Sequence, residues 1–394
     1  MIGIIAEYNP FHNGHAYQIS EIKKFSNAEI VAVMSGIFTQ RGTPAILDKW
    51  TRARLAVEGG VDLVLELPFV YAVRSAQDFS RGAVNLLSKI GIDTLAFGAE
   101  ISDLEKLKLA ASTFNDENFG EKLKLEMSSG KSYAAAVTKI LAGVAQIEEK
   151  FLRLPNTILA IEYLRALPEN VTPLLIPRGK VISSATEIRR AIYENPVQWQ
   201  KISVPPNVLE ILKSTEFVDE KFLFRPLLSK ILTSSLADLK KIYGMNEGIE
   251  FKLIESARVA KNFDELVGGV VNRRFPISRI KRLLLHFLLD LTPEKILEVG
   301  DYARVLAFNE RGQKILKKIR KAGNLPIVTK VARHLTSKEI LEERILEPYK
   351  KSLKLDLLAS DLRETLFETP KNWRQDFTKN CCIGLARHFC AGCV

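Results

Sequence analysis

The chain has 394 residues, 46% hydrophobic and 26% charged, which is ordinary for a globular protein with a full core and more than one typical domain. No apolar run is long enough to span a bilayer, and all four cysteines lie in the last fourteen residues, so neither membrane helices nor a disulfide framework organises the body. The net charge of +11 sits in one half: residues 1–200 hold 22 basic and 22 acidic side chains, and residues 201–394 hold the remaining 35 and 24.

In chain order, residues 2–6 (IGIIA) read as a short buried strand. Glu7 interrupts this apolar stretch at once and no basic segment precedes it, so it is not expected to be a signal peptide. A helix over 14–24 follows, then a strand over 28–36, a helix over 48–60 with Asp48 as N-cap, and a strand over 61–68. The pattern continues with a helix over 75–91, a strand over 93–100, helices between 103 and 167, a strand over 172–177 and a helix over 183–195. Strands alternating with helices predict a Rossmann-like, doubly wound parallel sheet (α/β). A ligand crevice is expected beyond the carboxyl ends of its strands. Pro196, Pro205 and Pro206 suggest a boundary, dividing the chain into 1–200 and 201–394. The second part reads as mainly α-helical and basic, with helices over 206–214, 225–242, 248–261, 264–289, 293–299, 302–321 and 336–346.

The segment H-N-G-H, 12–15, lies where the first strand hands over to the first helix. A helix N-terminus offers unpaired N–H groups and a positive dipole end to phosphate, and Gly14 allows close approach of the backbone. Imidazoles three residues apart share a face and can donate to phosphate oxygens. A satisfied histidine pair in a capped turn is the plain structural reading. The commoner phosphate loops G-x-x-x-x-G-K-[ST] and G-x-G-x-x-G are absent, and so is a zinc-type H-E-x-x-H. A second stretch, ISSATEIRR, 182–190, crowds Ser183, Ser184 and Thr186 at a helix start. Arg189 one turn later could bridge a leaving pyrophosphate. The same S-x-x-E spacing also reads as a capping box.

H-N-G-H together with I-S-S-x-x-I-R resembles the HIGH-signature nucleotidylyltransferase superfamily. More narrowly, GIIAEYNPFHNGH, VMSGIFTQRGTPAILDKWTRARLAVEGGVDLVLELP, YAVRSAQDFSRGAV and ISSATEIR are similar to the bacterial tRNA(Met) cytidine acetate ligase family over most of residues 1–195. That resemblance implies ATP-dependent activation of acetate to acetyl-adenylate with release of pyrophosphate. The acetyl group would then pass to N4 of the wobble cytidine of elongator tRNA(Met). It assigns His12, His15, Ser184 and Arg189 to catalysis. It assigns Glu7, Tyr8, Asn9, Pro10, Phe11, His12, Asn13, Gly14, His15, Gly98, Asn156, Arg178 and Ser183 to ATP. Thr157 follows Pro155-Asn156 where the family often has a second asparagine, and the stretch before ISS is short. Both departures bear on Arg178. Mg²⁺ is expected with the polyphosphate. Gln40, Arg41, Asp48, Lys49 and Arg52 could hold acetate or the cytidine, or be surface charges beside an N-cap.

The basic half carries two acid-free runs: 311–333 with eight Lys and Arg, and 272–282 with five. Such runs suit phosphate contacts, and Arg273, Arg274, Lys314, Lys317, Lys318, Arg320 and Lys321 are expected to bind tRNA. Phe275, Phe308 and Trp373 could stack on bases, though large aromatics in helical chains are more often core. Cys381, Cys382, Cys390, Cys393 and His388 could form a structural zinc site. Their spacing matches no standard signature, and a reduced thiol cluster accounts for them as well. A cytoplasmic enzyme without membrane or DNA partners is expected. The competing readings are an adenylyltransferase moving AMP to a small acceptor, and an inactive RNA-binding protein.

Overall fold

The structure is a computed structural model and describes residues 1–177, 184–194, 202–370, 372–379 and 381–383. Arg178, Ser183, His388, Cys390 and Cys393 lie outside them, as does the side chain of Cys382. Five parallel strands form the sheet's core: β1 (Ile2–Ala6), β2 (Ile30–Ser35), β3 (Leu63–Leu67), β4 (Thr94–Ala99) and β5 (Thr172–Pro177). Their spatial order is β5-β4-β1-β2-β3. The first connections run outward from β1 to β2 and β3, and the chain then crosses back to β4 on the other side of β1. The topological switch point therefore lies between β1 and β4, where such sheets bind ligands. β2 and β3 are buried along their whole length, which explains runs such as IVAVMS that do not alternate.

Helix α1 (Asn13–Phe25) follows β1, and α2 (Lys49–Glu58) precedes β3. The helix Ala76–Lys89 is capped by Ser75, whose hydroxyl accepts from Asp78 N–H. The helix Pro155–Ala166 packs beside it and leads to β5.

The second half is mostly helical, but it also returns to the same sheet. Residues 302–321, expected as one helix, form β6 (Ala303–Phe308) and then a helix over Glu310–Ala322. β6 is buried on both faces, Arg304 included, so no alternation of exposed and buried residue types marks it in the sequence. Asn309 ends it by capping the helix, accepting from Gly312 N–H at 3.0 Å. β6 runs antiparallel to β3, with Leu63 opposite Phe308 and Glu66 opposite Arg304. β7 (Ile327–Val328) and β8 (Cys382–Ile383) lie along β6 in parallel. The division at 200/201 is therefore not a division of the sheet. Pro276 interrupts the expected helix over 264–289, giving Phe263–Gly268 and Ile277–Leu288. The expected helix over 336–346 is the short Ser337–Leu341, and a longer helix over Pro348–Glu364 follows it.

Buried charge ties the two halves together. Lys49 Nζ is 2.8 Å from both Glu66 oxygens and 2.8 Å from Asp376 Oδ1. Arg304 Nη2 approaches the same Asp376 oxygen at 3.4 Å. Two cations thus face two carboxylates, which is what makes their burial tolerable. Asp356 joins this network with its carboxyl pushed up by burial. It accepts hydrogen bonds from the Tyr302 hydroxyl and from Phe69 N–H.

Candidate active site

The loop after β1 turns sharply through Tyr8 (φ 45°) and a cis Asn9–Pro10 bond. Tyr8 and Phe11 are buried and form apolar walls around His15, with ring centroids 4.9 and 5.6 Å from its imidazole. The buried Asn9 accepts from Ile46 N–H at 2.9 Å, fastening this loop to the one after β2.

His12 is the N-cap of α1. Its Nδ1 accepts from Gly14 N–H at 3.0 Å, and its own N–H donates to His15 Nδ1 at 3.2 Å. Histidine thus plays both parts of a capping box that Ser/Thr and Glu usually fill. With each Nδ1 used as an acceptor, each ring carries its proton on Nε2. The two rings stack at 3.8 Å. Burial, with the neighbouring His12 adding to it, holds His15 well below the ordinary histidine pKa. The pair is therefore two aligned N–H donors beside a helix N-terminus, suited to an oxyanion or a phosphate.

The second sequence-predicted stretch meets this loop. Ser184 and Glu187 form a reciprocal cap at the start of the helix Ala185–Glu194. Ser184 N–H donates to Glu187 Oε2 at 2.6 Å, and Glu187 N–H to Ser184 Oγ at 3.3 Å. Arg189, one turn in, donates to the Asn9 carbonyl at 2.6 Å and to Thr186 Oγ1 at 3.3 Å. Residues 180 positions apart thus share one site. Burial lowers the Arg189 pKa, Glu7 opposes that shift and Arg41 adds to it. Glu7 also accepts from Gln40 N–H at 2.6 Å.

Gly98 and Glu100 follow at the end of β4, across the switch point. Asn156 donates to Glu100 Oε1 at 2.8 Å, and Thr157 N–H donates to Oε2 at 2.7 Å. Asn13 donates to Ser203 Oγ at 2.9 Å.

Three of the polar residues read as ligand contacts or surface charges are taken up by the fold, Asp48 in the N-cap role the sequence suggested. Asp48 caps α2, accepting from Trp50 and Thr51 N–H at 3.0 Å each. Lys49 is spent on the buried network. Arg52 is fully buried and donates to the carbonyls of Glu7 (2.6 Å), Ser35 (3.1 Å), Leu47 (3.2 Å) and Gly36. A guanidinium can bind carbonyls in several directions at once, so Arg52 staples the ends of β1 and β2 together. Nothing in the sequence distinguishes Arg52 from Arg54, the half-buried basic residue two positions on.

Of the basic residues, Arg273 and Arg274 lie exposed just before the helix Ile277–Leu288, and Arg274 pairs with Glu247 at 3.3 Å. Lys314, Lys317, Lys318, Arg320 and Lys321 are exposed on the helix Glu310–Ala322. That helix starts at the amino ends of the parallel strands, the end away from the crevice: Arg311 donates to the Asn27 carbonyl, and Lys318 lies 3.8 Å from Glu29. Phe275 is core, whereas Trp373 is half exposed. No group of three or more His, Cys, Asp or Glu could hold a metal among the described residues. Nor is any described helix long and apolar enough to cross a membrane.

The profile of the family described as HIGH Nucleotidyl Transferase matches residues 1–378. A tRNA(Met) cytidine acetate ligase of Halothermothrix orenii is 34% identical, covering 96% of this chain and 98% of that protein. One of Caldanaerobacter subterraneus is 39% identical over 92% and 94%. Thermotoga maritima TmcAL bound with alpha-thio ATP superposes with a TM-score of 0.87 at 31% identity, covering 97% of this chain and 98% of that one. Its apo form gives 0.86 at 30% identity. Fold, crevice and sequence agree: the chain belongs to the HIGH nucleotidyltransferase family, among the tRNA(Met) cytidine acetate ligases.

Proposed function

We propose that this protein activates acetate with ATP and transfers the acetyl group to N4 of the wobble cytidine of elongator tRNA(Met). The observation that carries the reading is the joining of the two signature segments. Arg189 is anchored on Asn9 beside two histidines whose Nε2–H tautomer the backbone itself selects. Adenylate formation needs donors at the α-phosphate and the departing pyrophosphate, and no nucleophilic side chain.

In the first step an acetate oxygen attacks the α-phosphorus, the bond to the β-phosphate oxygen breaks and pyrophosphate leaves. His12, His15 and the N–H groups opening α1 stabilise the charge that builds at the α-phosphate. Arg189 holds the leaving group, with Ser184 and Thr186 at the helix start beside it. In the second step the cytidine N4 amine attacks the acetyl carbonyl, AMP leaves and the amine loses a proton. Glu7, Asn13, Gly98, Asn156, Arg178 and Ser183 complete the proposed ATP contacts, while Tyr8, Asn9, Pro10 and Phe11 shape the loop that presents the histidines. The site's donors are cationic or neutral and Glu7 is the one carboxylate on this loop, so Mg²⁺ fits as an ion held chiefly by phosphate oxygens and water. It would supply charge neutralisation there. Arg273, Arg274, Lys314, Lys317, Lys318, Arg320 and Lys321 are proposed phosphate contacts for tRNA. We place the reaction in the cytoplasm.

The test is one incubation of the protein with ATP, Mg²⁺, labelled acetate and elongator tRNA(Met), followed by digestion and mass spectrometry. Labelled N4-acetylcytidine is expected. ATP binding without acetate-dependent pyrophosphate exchange or labelled product would overturn the proposal and favour AMP transfer to a different acceptor.

A further inference from the structure

Arg282 stands apart from the other cations on its helix. On Ile277–Leu288, Arg279 pairs with Glu247 at 3.1 Å and Lys281 pairs with Glu220 at 2.5 Å. Arg282 makes no ion pair with any described residue, although it is partly buried. The acid nearest to it in effect, Asp78, is already held by Arg74 at 3.1 Å. The Arg282 guanidinium instead donates to the Gln40 carbonyl at 3.3 Å. Burial without an acidic partner pushes its pKa down to about 10, with Arg279 adding to the shift. A partly desolvated cation with no acid of its own is suited to an anion that arrives from outside.

The seam around it is rigid. Gly42 (φ 76°) presses on the backbone of Lys281 and Arg282, leaving no room for a Cβ: one there would lie 2.5 Å from Arg282 N. Thr39 and Thr43 close the loop through a backbone bond of 2.9 Å and a hydroxyl pair at 2.8 Å. The loop tip therefore presents Arg41, exposed and without an ion pair among the described residues, on the crevice side where it lowers the Arg189 pKa. Arg282, from the other half of the chain, reaches the carbonyl of Gln40, the residue next to Arg41, so both cations belong to the loop that follows β2 at the carboxyl ends of the strands.

We propose that Arg41 and Arg282 form an anion subsite that takes a backbone phosphate of the RNA next to the nucleotide entering the crevice. The subsite lies where the helical half touches the loop after β2, so it would anchor the RNA strand just outside the acetyl-transfer centre. This rests on the proposed RNA acceptor. The same chemistry could be met by the polyphosphate of ATP, and the test separates the two sources.

The experiment compares Arg41→Gln, Arg282→Gln and Arg282→Lys with the parent protein. The KM for ATP is read in acetate-dependent ATP–pyrophosphate exchange without RNA, and Kd and KM for tRNA are read at several salt concentrations. Each Gln variant is expected to raise the tRNA Kd about tenfold, which is the loss of one charged phosphate contact. The slope of log K against log salt should fall by about 0.7–0.9. The KM for ATP should move less than twofold, and Arg282→Lys should recover part of the tRNA affinity. A rise in the ATP KM with unchanged tRNA affinity would assign the arginines to the nucleotide and overturn the proposal. Unchanged tRNA affinity and salt slope in all variants would also overturn it. Parent protein that performs the exchange yet binds no tRNA would instead overturn the acceptor reading, and the subsite with it. Arg41, on the surface, keeps the test valid if Arg282→Gln fails to fold.

Discussion

His12 and His15 each give Nδ1 to a backbone amide, so neither ring can choose its tautomer freely. This is a cheaper arrangement than a carboxylate behind each ring, because it adds no negative charge where phosphate must sit. His15 is held well below its ordinary pKa and stays neutral at pH 7, donating through Nε2. Replacing His15 by Ala removes both that donor and the acceptor for His12 N–H. Acetate-dependent ATP–pyrophosphate exchange should fall by at least about a hundredfold, the usual loss for one such donor. tRNA affinity in a filter-binding assay should change less than twofold. Unchanged exchange would remove His15 from the mechanism.

At the scale of elements, the sheet and the helical half are clamped at several buried points. The clamp next to the proposed RNA subsite has a titratable group. His286, on Ile277–Leu288, places Nε2 2.6 Å from the Val73 carbonyl, and its Nδ1 lies 3.4 Å from the Tyr243 carbonyl. Burial pulls its pKa from 6.5 to about 4, against the pull of the two carbonyls. The folded protein therefore refuses a proton that the unfolded chain accepts below pH 6.5. Stability contributed this way is complete above pH 6.5 and declines as pH drops towards about 4. The melting temperature of the parent should fall more steeply over that range than that of His286→Asn, which has no ring to protonate. Parallel curves would show that His286 does not report on the clamp.

Across the whole molecule, the excess positive charge forms two surfaces rather than one. The helix Ile277–Leu288, which Arg273 and Arg274 precede, reaches the crevice-side loop through Arg282, whereas the helix Glu310–Ala322 starts at the amino ends of the strands, away from the crevice. An RNA that reacts in the crevice would have to reach around the molecule to touch both. Neutralising Lys314, Lys317, Lys318, Arg320 and Lys321 together should weaken tRNA binding and flatten its salt dependence, as read from titrations at several salt concentrations. If affinity does not change, that helix is a solvated face and the crevice-side surface carries the RNA alone.

The strand–helix alternation of residues 2–100 was legible in the sequence because each buried strand is short, apolar and bounded by turn residues. H-N-G-H and S-S-A-T-E-I-R were legible because helix starts have their own local chemistry. β5, over residues 172–177, was placed to the residue for the same reason. β6 was not, because a strand buried on both faces loses the alternation that separates it from a helix. Asp48 was legible as an N-cap, but Lys49 and Arg52 read only as ligand contacts or surface charges, since a charge in a sequence carries no record of its burial. Only the packing of residues distant in the chain turned Lys49 into half of an internal ion network and Arg52 into a staple of carbonyls. In the same way, local sequence determined which residues could bind phosphate. The tertiary structure decided which of them meet, because the contact of Arg189 with Asn9 and that of Arg282 with Gln40 each close across more than a hundred residues of chain.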